Sequence, residues 1–139
     1  MKIFLLEDDP IYQDLLLSDL EDEGYEIVTH ECVQGAAEKI KEGGFDLLLV
    51  DIMIPETAEL AGCEIRDGGI RILENLAAES YQLPVTFFVS VYGFEENSSR
   101  IEALNLNGNA PDIQMYFRKP YNFDSLLQSI KKIEELTGK

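Results

Sequence analysis

Acids, a hydroxyl and a lysine each follow a short apolar run in this sequence. Glu7, Asp8 and Asp9 come directly after Ile3-Phe4-Leu5-Leu6, and Asp51 comes after Leu47-Leu48-Leu49-Val50. Ser90 follows Phe87-Phe88-Val89, and Lys119 with Pro120 comes just after Phe117. If those runs are neighbouring strands, Glu7, Asp8 and Asp51 meet and repel one another, so they need a cation or raised pKa values. Mg²⁺ suits such a site, because it takes hard oxygen ligands and keeps several waters. A carboxylate is also a nucleophile toward phosphorus and can form an aspartyl phosphate. A phosphoryl group in flight spreads charge over its equatorial oxygens, so catalysis is mainly positioning and neutralisation. Mg²⁺ on one oxygen, the Lys119 ammonium on another and the Ser90 hydroxyl on a third would supply this. Asp9 reads instead as a helix cap, and His30 lacks companions with metal-ligand spacing.

The elements that must position these groups are legible as five alternations of β-type and helical pattern. Strands are predicted at 2–6, 25–29, 46–50, 85–89 and 114–117, and continuous apolar runs among them suit parallel strands covered on both faces. The first helix is predicted from the Asp9 cap and Pro10 to the stop at Gly24, with Ile11, Leu15, Leu16 and Leu20 as its apolar face. A second spans about 33–41 before Gly43-Gly44, and a third spans about 69–80 with Ile72, Leu73, Leu76 and Ala77 inward. A fourth spans about 94–104. The last opens at an Asn122 cap and turns Leu126, Leu127, Ile130, Ile133 and Leu136 inward, with Gly138 after its end. The fold class expected is α/β, a doubly wound five-stranded parallel sheet with right-handed crossovers. Two stretches break the alternation, Glu56–Asp67 and the Asn-rich Asn105–Asp112. Residues 1–139 read as one domain, with no repeat, low-complexity tract or linker.

Composition narrows the function classes. A formal charge of −16 argues against direct nucleic-acid binding and against an anionic membrane surface. No apolar window is long enough to span a bilayer, and the N-terminal apolar run is too short for a signal peptide, so a cytoplasmic location is expected. Cys32 and Cys63 lack CxxC spacing and are expected to be reduced thiols.

The chain resembles the receiver domain of bacterial two-component response regulators over essentially its whole length. The resemblance is carried by Leu5-Leu6-Glu7-Asp8-Asp9-Pro10, by Leu48-Leu49-Val50-Asp51-Ile52-Met53-Ile54-Pro55, by Leu83-Pro84-Val85 leading to Ser90, and by Arg118-Lys119-Pro120-Tyr121. It implies a flavodoxin-like (β/α)5 sheet of strand order 2-1-3-4-5. It also implies that Asp51 is the phosphoacceptor, that Asp8 is a direct metal ligand, and that Glu7 acts on the metal through water. The Met53 backbone carbonyl would be a further ligand, and Lys119 would be the family's lysine, with a cis bond to Pro120. Ser90 and Tyr116 would be the switch residues. The implied cofactor is Mg²⁺. The implied partners are a sensor histidine kinase or phosphotransfer protein as donor and a downstream protein target, with a homodimer left open. No output domain follows the fifth helix in this sequence, so a stand-alone receiver is expected. The chain departs from the family in the length of Glu56–Asp67 and Asn105–Asp112, and in Val91, which stands where a small residue is usual. One extra residue after Pro84 makes Thr86 a poorer rival for the Ser90 role.

Three other readings fit the residues less well. A receiver-like module that is not phosphorylated and serves only for protein interaction is opposed by the complete set of acids, hydroxyl and lysine. A hydrolase forming an aspartyl-phosphate intermediate would need a second acid two residues beyond Asp51, where Met53 stands. A flavodoxin-type cofactor binder would need a Gly/Ser/Thr-rich phosphate loop after the first strand, where Glu7-Asp8-Asp9 stand.

Overall fold

A computed structural model describes residues 1–106 and 113–138. Five parallel strands form one sheet: β1 (Lys2–Leu6), β2 (Glu26–His30), β3 (Leu47–Val50), β4 (Val85–Ser90) and β5 (Tyr116–Arg118), in the order β2-β1-β3-β4-β5. The helices between and after them are α1 (Pro10–Asp22), α2 (Ala36–Gly43), α3 (Gly68–Ala78), α4 (Ser98–Leu104) and α5 (Phe123–Thr137). The expected fold class and strand order are therefore those observed. The chain runs outward from β1 to β2 and then returns past β1 to β3, so the winding reverses between β1 and β3. Crevices in open α/β sheets form beyond the carboxyl ends of the strands at such a reversal.

Burial explains why the sheet is parallel and central. Every residue of β3, together with Ile3 to Leu6 of β1 and Thr86 to Ser90 of β4, is buried, so these strands are covered by helices on both faces. Phe4, Phe87, Phe88 and Phe117 are the largest side chains buried completely, or nearly so, in that core.

Helix faces differ from the periodic reading at particular residues. On α1, Leu16 and Leu20 are buried, but Ile11 and Leu15 are 69% and 53% exposed. At about 100° per residue, Leu15 lies more than a quarter-turn from Leu16. The inward stripe of α1 is Tyr12, Gln13, Leu16 and Leu20. Ala77 on α3 and Leu136 in the last turn of α5 are likewise exposed. The start of α2 is later than expected, because Val33 and Gln34 donate their N–H groups to the carbonyls of Pro55 and Glu56, and Gly35 then turns the chain at φ +82°. The start of α4 is also later, because Asn97 donates its side-chain amide to the Gly93 carbonyl, closing a turn that opens on Gly93 at φ +107°.

Glu56–Asp67 is an ordered excursion. It contains a 3₁₀ turn at Ala58–Leu60, and an antiparallel bridge between Ile54 and Ile65 closes it at its base. Of Asn105–Asp112, Asn105 and Leu106 form a turn after α4, and residues 107–112 lie outside the described residues. Cys32 is buried and Cys63 exposed, and both are unbridged. Among the described residues no helix is long and apolar enough to cross a membrane.

The junction of α3 with β3 is tight. Gly69 donates its N–H to the Ile52 carbonyl, and a Cβ at Gly69 would run into the Asp51 carbonyl oxygen, with Val50 Cγ1 2.7 Å away. Gly69→Ala is expected to destabilise the fold by about 1–3 kcal/mol, the usual cost of overpacking. Urea denaturation checks this, and an unchanged midpoint would show that the junction yields freely.

Candidate functional site

Each polar residue at the strand ends is fixed through its backbone before its side chain makes any contact. Glu7 donates its N–H to the His30 carbonyl of β2, Asp51 to the Leu6 carbonyl of β1, and Lys119 to the Ser90 carbonyl of β4. The parallel ladders thus run one residue beyond β1, β3 and β5. The side chains that follow the apolar runs are delivered side by side at one edge.

There Lys119 Nζ lies 2.6 Å from Glu7 Oε1 and 2.9 Å from Asp51 Oδ2. The other Asp51 oxygen accepts from the Ser90 hydroxyl at 2.8 Å and from the Met53 N–H at 3.1 Å. Glu7 Oε2 accepts from the Asp9 N–H at 3.0 Å. Glu7, Asp51, Ser90 and Lys119 are all buried, and Asp8 is half-buried. A cavity of about 230 Å³ opens over them, lined among others by Asp8, Asp51, Met53, Ser90 and Lys119. Carboxylate oxygens of Glu7, Asp8 and Asp51 lie within 4.8 Å of one another. Three hard oxygen donors at that spacing, with one ammonium against them, fit a small divalent cation.

The electrostatics carry the same mark. Burial first, and then the Asp51 charge, pushes the Glu7 carboxyl from 4.5 up to about 8, although Lys119 pulls the other way. Burial, a hydrogen bond with Glu64 and the Asp51 charge push Asp8 from 3.8 up to about 7. Burial pulls the Lys119 ammonium down, but Asp51 and Glu7 outweigh it and its pKa ends above the usual lysine value.

The residues singled out from the sequence fall into two groups. Glu7, Asp8, Asp51, Met53, Ser90 and Lys119 come together, and the Lys119–Pro120 bond is cis. Thr86 is spent elsewhere, donating to the Pro84 carbonyl at 3.1 Å. Tyr116 stands apart at the surface, 42% exposed, stacked on Phe88 and edge-on to Phe94. Asp9 caps α1 by accepting from the Ile11 N–H at 2.9 Å.

Other contacts have no motif to announce them. The Tyr12 ring lies 4.5 Å from Lys119 Nζ, and Gln13 donates its side-chain amide to the Glu7 carbonyl. Both sit in the first turn of α1, and the spacing from Leu16 and Leu20 that puts them on the inward stripe was the signal available. Glu64, from the excursion after β3, also lines the cavity, and nothing in its local sequence marks it.

A family model described as the response regulator receiver domain matches residues 3–131. The chain is 29% identical over 132 residues to the response regulator receiver protein CpdR of Brucella abortus, covering 95% of each. It is 30% identical over 131 residues to the transcriptional regulatory protein CrdR of Helicobacter pylori, covering 94% of this chain and 54% of CrdR, so it spans about half of that relative. Among solved structures, a CheY-like receiver domain protein from Methanospirillum hungatei superposes with a TM-score of 0.74 at 27% identity, covering 96% of this chain and 94% of that one. TrrA of Thermotoga maritima, solved with Mg²⁺ and BeF, has the same fold, with a TM-score of 0.70 at 24% identity and coverage of 95% and 97%.

The raised carboxyl pKa values have a consequence for stability. Between the ordinary and raised values the folded protein holds protons that the unfolded chain has already released, so stability without metal falls as pH rises across that window. The melting temperature in chelator is expected to decline from about pH 5 to about pH 8, and Mg²⁺ is expected to flatten the decline. A melting temperature that rises over that range in chelator would contradict the assignment of buried, mutually repelling acids.

Proposed function

Because this chain belongs to the receiver domain family of two-component response regulators, we propose that it accepts a phosphoryl group on Asp51 in a Mg²⁺-dependent reaction and signals to a protein partner by changing shape. The observation that carries this reading is the setting of Asp51. One of its oxygens is held by Lys119 and the other by Ser90 and the Met53 N–H, at the base of a cavity lined by a further acid, Asp8. The donor would be a phosphohistidine on a sensor histidine kinase or phosphotransfer protein, with the cytoplasm as the site of action. Residues 1–139 would act as one receiver unit.

In the transfer an Asp51 oxygen attacks phosphorus as the P–N bond to the donor imidazole breaks, and that nitrogen leaves with the electron pair and takes up a proton. Lys119 and Ser90, already within hydrogen-bond distance of the Asp51 carboxylate, are placed to follow the charge onto phosphoryl oxygens. Asp8, Asp51 and the Met53 carbonyl would hold Mg²⁺ directly and Glu7 would hold it through water, and the ion supplies positive charge to the phosphoryl oxygens when bound. Glu7 suits the indirect role, since it is buried and, unlike Asp8, Asp51 and Met53, does not line the cavity. The same groups would assist hydrolysis of the aspartyl phosphate, so the chain would catalyse its own phosphorylation and dephosphorylation while being a signalling domain.

Signalling would begin at Ser90. Its hydroxyl lies 2.8 Å from Asp51 Oδ1 and 3.1 Å from the Tyr92 carbonyl, so a phosphoryl group on Asp51 changes what holds the turn after β4. Beyond that turn, Phe94 packs against Tyr116, and Arg118 donates to the Val91 carbonyl and pairs with Glu95. The surface of α4, β5 and α5 would thereby be biased between two states, the proportion being set by phosphorylation.

Incubation with acetyl phosphate and Mg²⁺ followed by intact-mass analysis is expected to show a single phosphoryl adduct, lost in Asp51→Asn and in chelator. No adduct together with no Mg²⁺ binding would replace this reading with that of an unphosphorylated interaction module. Lys119→Met is expected to slow phosphorylation on the order of a hundredfold, as for loss of one preorganised electrostatic donor. A stopped-flow time course checks this, and a rate within a few-fold of wild type would remove Lys119 from the transfer step.

A further inference from the structure

We propose that Glu64, delivered by the excursion after β3, is a positioning residue for the divalent cation and tightens its binding by acting through Asp8 and the cation's water shell. The inference rests on the reading of Glu7, Asp8 and Asp51 as a Mg²⁺ site. It adds a residue that comes from the stretch in which this chain departs from the family.

The placement of Glu64 is built into the fold. Ile54 and Ile65 form an antiparallel bridge, with the Ile65 N–H donating to the Ile54 carbonyl at 2.8 Å, so the residue before Ile65 is fixed relative to the end of β3. The start of the excursion is anchored by the Val33 and Gln34 N–H groups on the Pro55 and Glu56 carbonyls, and by the Arg71–Glu56 pair at 3.8 Å. From that base Glu64 lines the same cavity as Asp8, Asp51 and Lys119, with its carboxyl near that of Asp8. Other acids of the excursion are used differently: Glu56 pairs with Arg71, and Asp67 pairs with Arg100 at 2.9 Å.

The geometry also says which role Glu64 takes. Oxygens of Glu7, Asp8 and Asp51 form the mutually close set, and Glu64 is not a member of it. It stands one step out, against Asp8. Two carboxyl groups in contact repel when both are charged, and a divalent cation beside them turns that contact favourable. Mg²⁺ keeps several of its waters, so an outer carboxylate can accept from a bound water while orienting Asp8. Outer partners of metal ligands typically change affinity by about ten- to a hundredfold. Since Glu64 is exposed at the cavity mouth, the lower end of that range applies.

The test is calorimetric titration of the full chain with MgCl₂, for wild type, Glu64→Gln, Glu64→Asp and Glu59→Gln. Glu59 is exposed in the same excursion, so its substitution changes net charge equally without touching the cavity. Glu64→Gln is expected to weaken Mg²⁺ on the order of tenfold. Glu64→Asp, which keeps the charge, is expected to recover most of the loss, and Glu59→Gln to match wild type. The melting temperature in chelator should not fall in Glu64→Gln, which separates lost cation binding from damage to the fold. Glu64→Gln binding as tightly as Glu59→Gln would overturn the proposal while leaving the Mg²⁺ site intact. Wild type failing to bind Mg²⁺, or binding it equally well as Asp8→Asn, would instead overturn the underlying reading, and this inference with it.

Discussion

The Lys119 ammonium sits between the carboxylates of Glu7 and Asp51, almost wholly out of water. Two acids and a lysine in such a place are costly singly and tolerable only as a set, since each desolvated charge needs its partner. One lysine against Glu7, Asp8 and Asp51 leaves the group short of positive charge, and burial first, with the Asp51 charge adding to it, raises Glu7 and Asp8. The same shortage makes the site receptive to a divalent cation and to the phosphoryl chemistry proposed for it. Instability and function have a common source here.

That arrangement persists because the scaffold beneath it is stiff. The side chains project from the ends of β1, β3 and β5, and the backbone of each is tied to the neighbouring strand. Under them lies a sheet of buried Leu, Ile, Val and Phe, covered on both faces. Small motions of a packed core are resisted, so mutually repelling groups are held close instead of drifting apart. From α1, the Tyr12 ring lies within cation–π range of the lysine and Gln13 braces the Glu7 carbonyl.

By contrast, the region beyond β4 is held by polar contacts that can be exchanged. The hydroxyl of Ser90 reaches both Asp51 and the Tyr92 carbonyl, and the Asn97 amide closes the turn at Gly93. Asn97 in turn accepts from Arg100, which pairs with Asp67 and Glu74. A run of contacts therefore leads from Asp51 through the seven-residue α4 to the end of the excursion that carries Glu64. Hydrogen bonds that trade one acceptor for another are cheap to rearrange compared with a packed core, which suits the two-state switching proposed for this segment.

From its sequence alone, this chain's α/β class, its five alternations and the polar residues at the strand ends were determined. Those features are written in local patterns: apolar runs for doubly covered strands, a cap at Asp9 and at Asn122, and a charged residue directly after each run. Strand order and the identity of the phosphate-type constellation came with the family resemblance carried by the motifs around Asp51 and Lys119. Tertiary structure decided the rest. Ile11 and Leu15 look like core by composition, yet the angular offset from Leu16 and Leu20 leaves them in water. Thr86 and Ser90 are both hydroxyls of one strand; the motif spacing already favoured Ser90, and the register that pairs Thr86 with Leu48 gives the physical reason, since it leaves Ser90 to reach Asp51. Glu64 is one acid among twenty-seven, and no local spacing marks it. Its place at the cavity comes from a bridge between Ile54 and Ile65, a long-range pairing, and periodicity within a window carries no information about which distant segments meet.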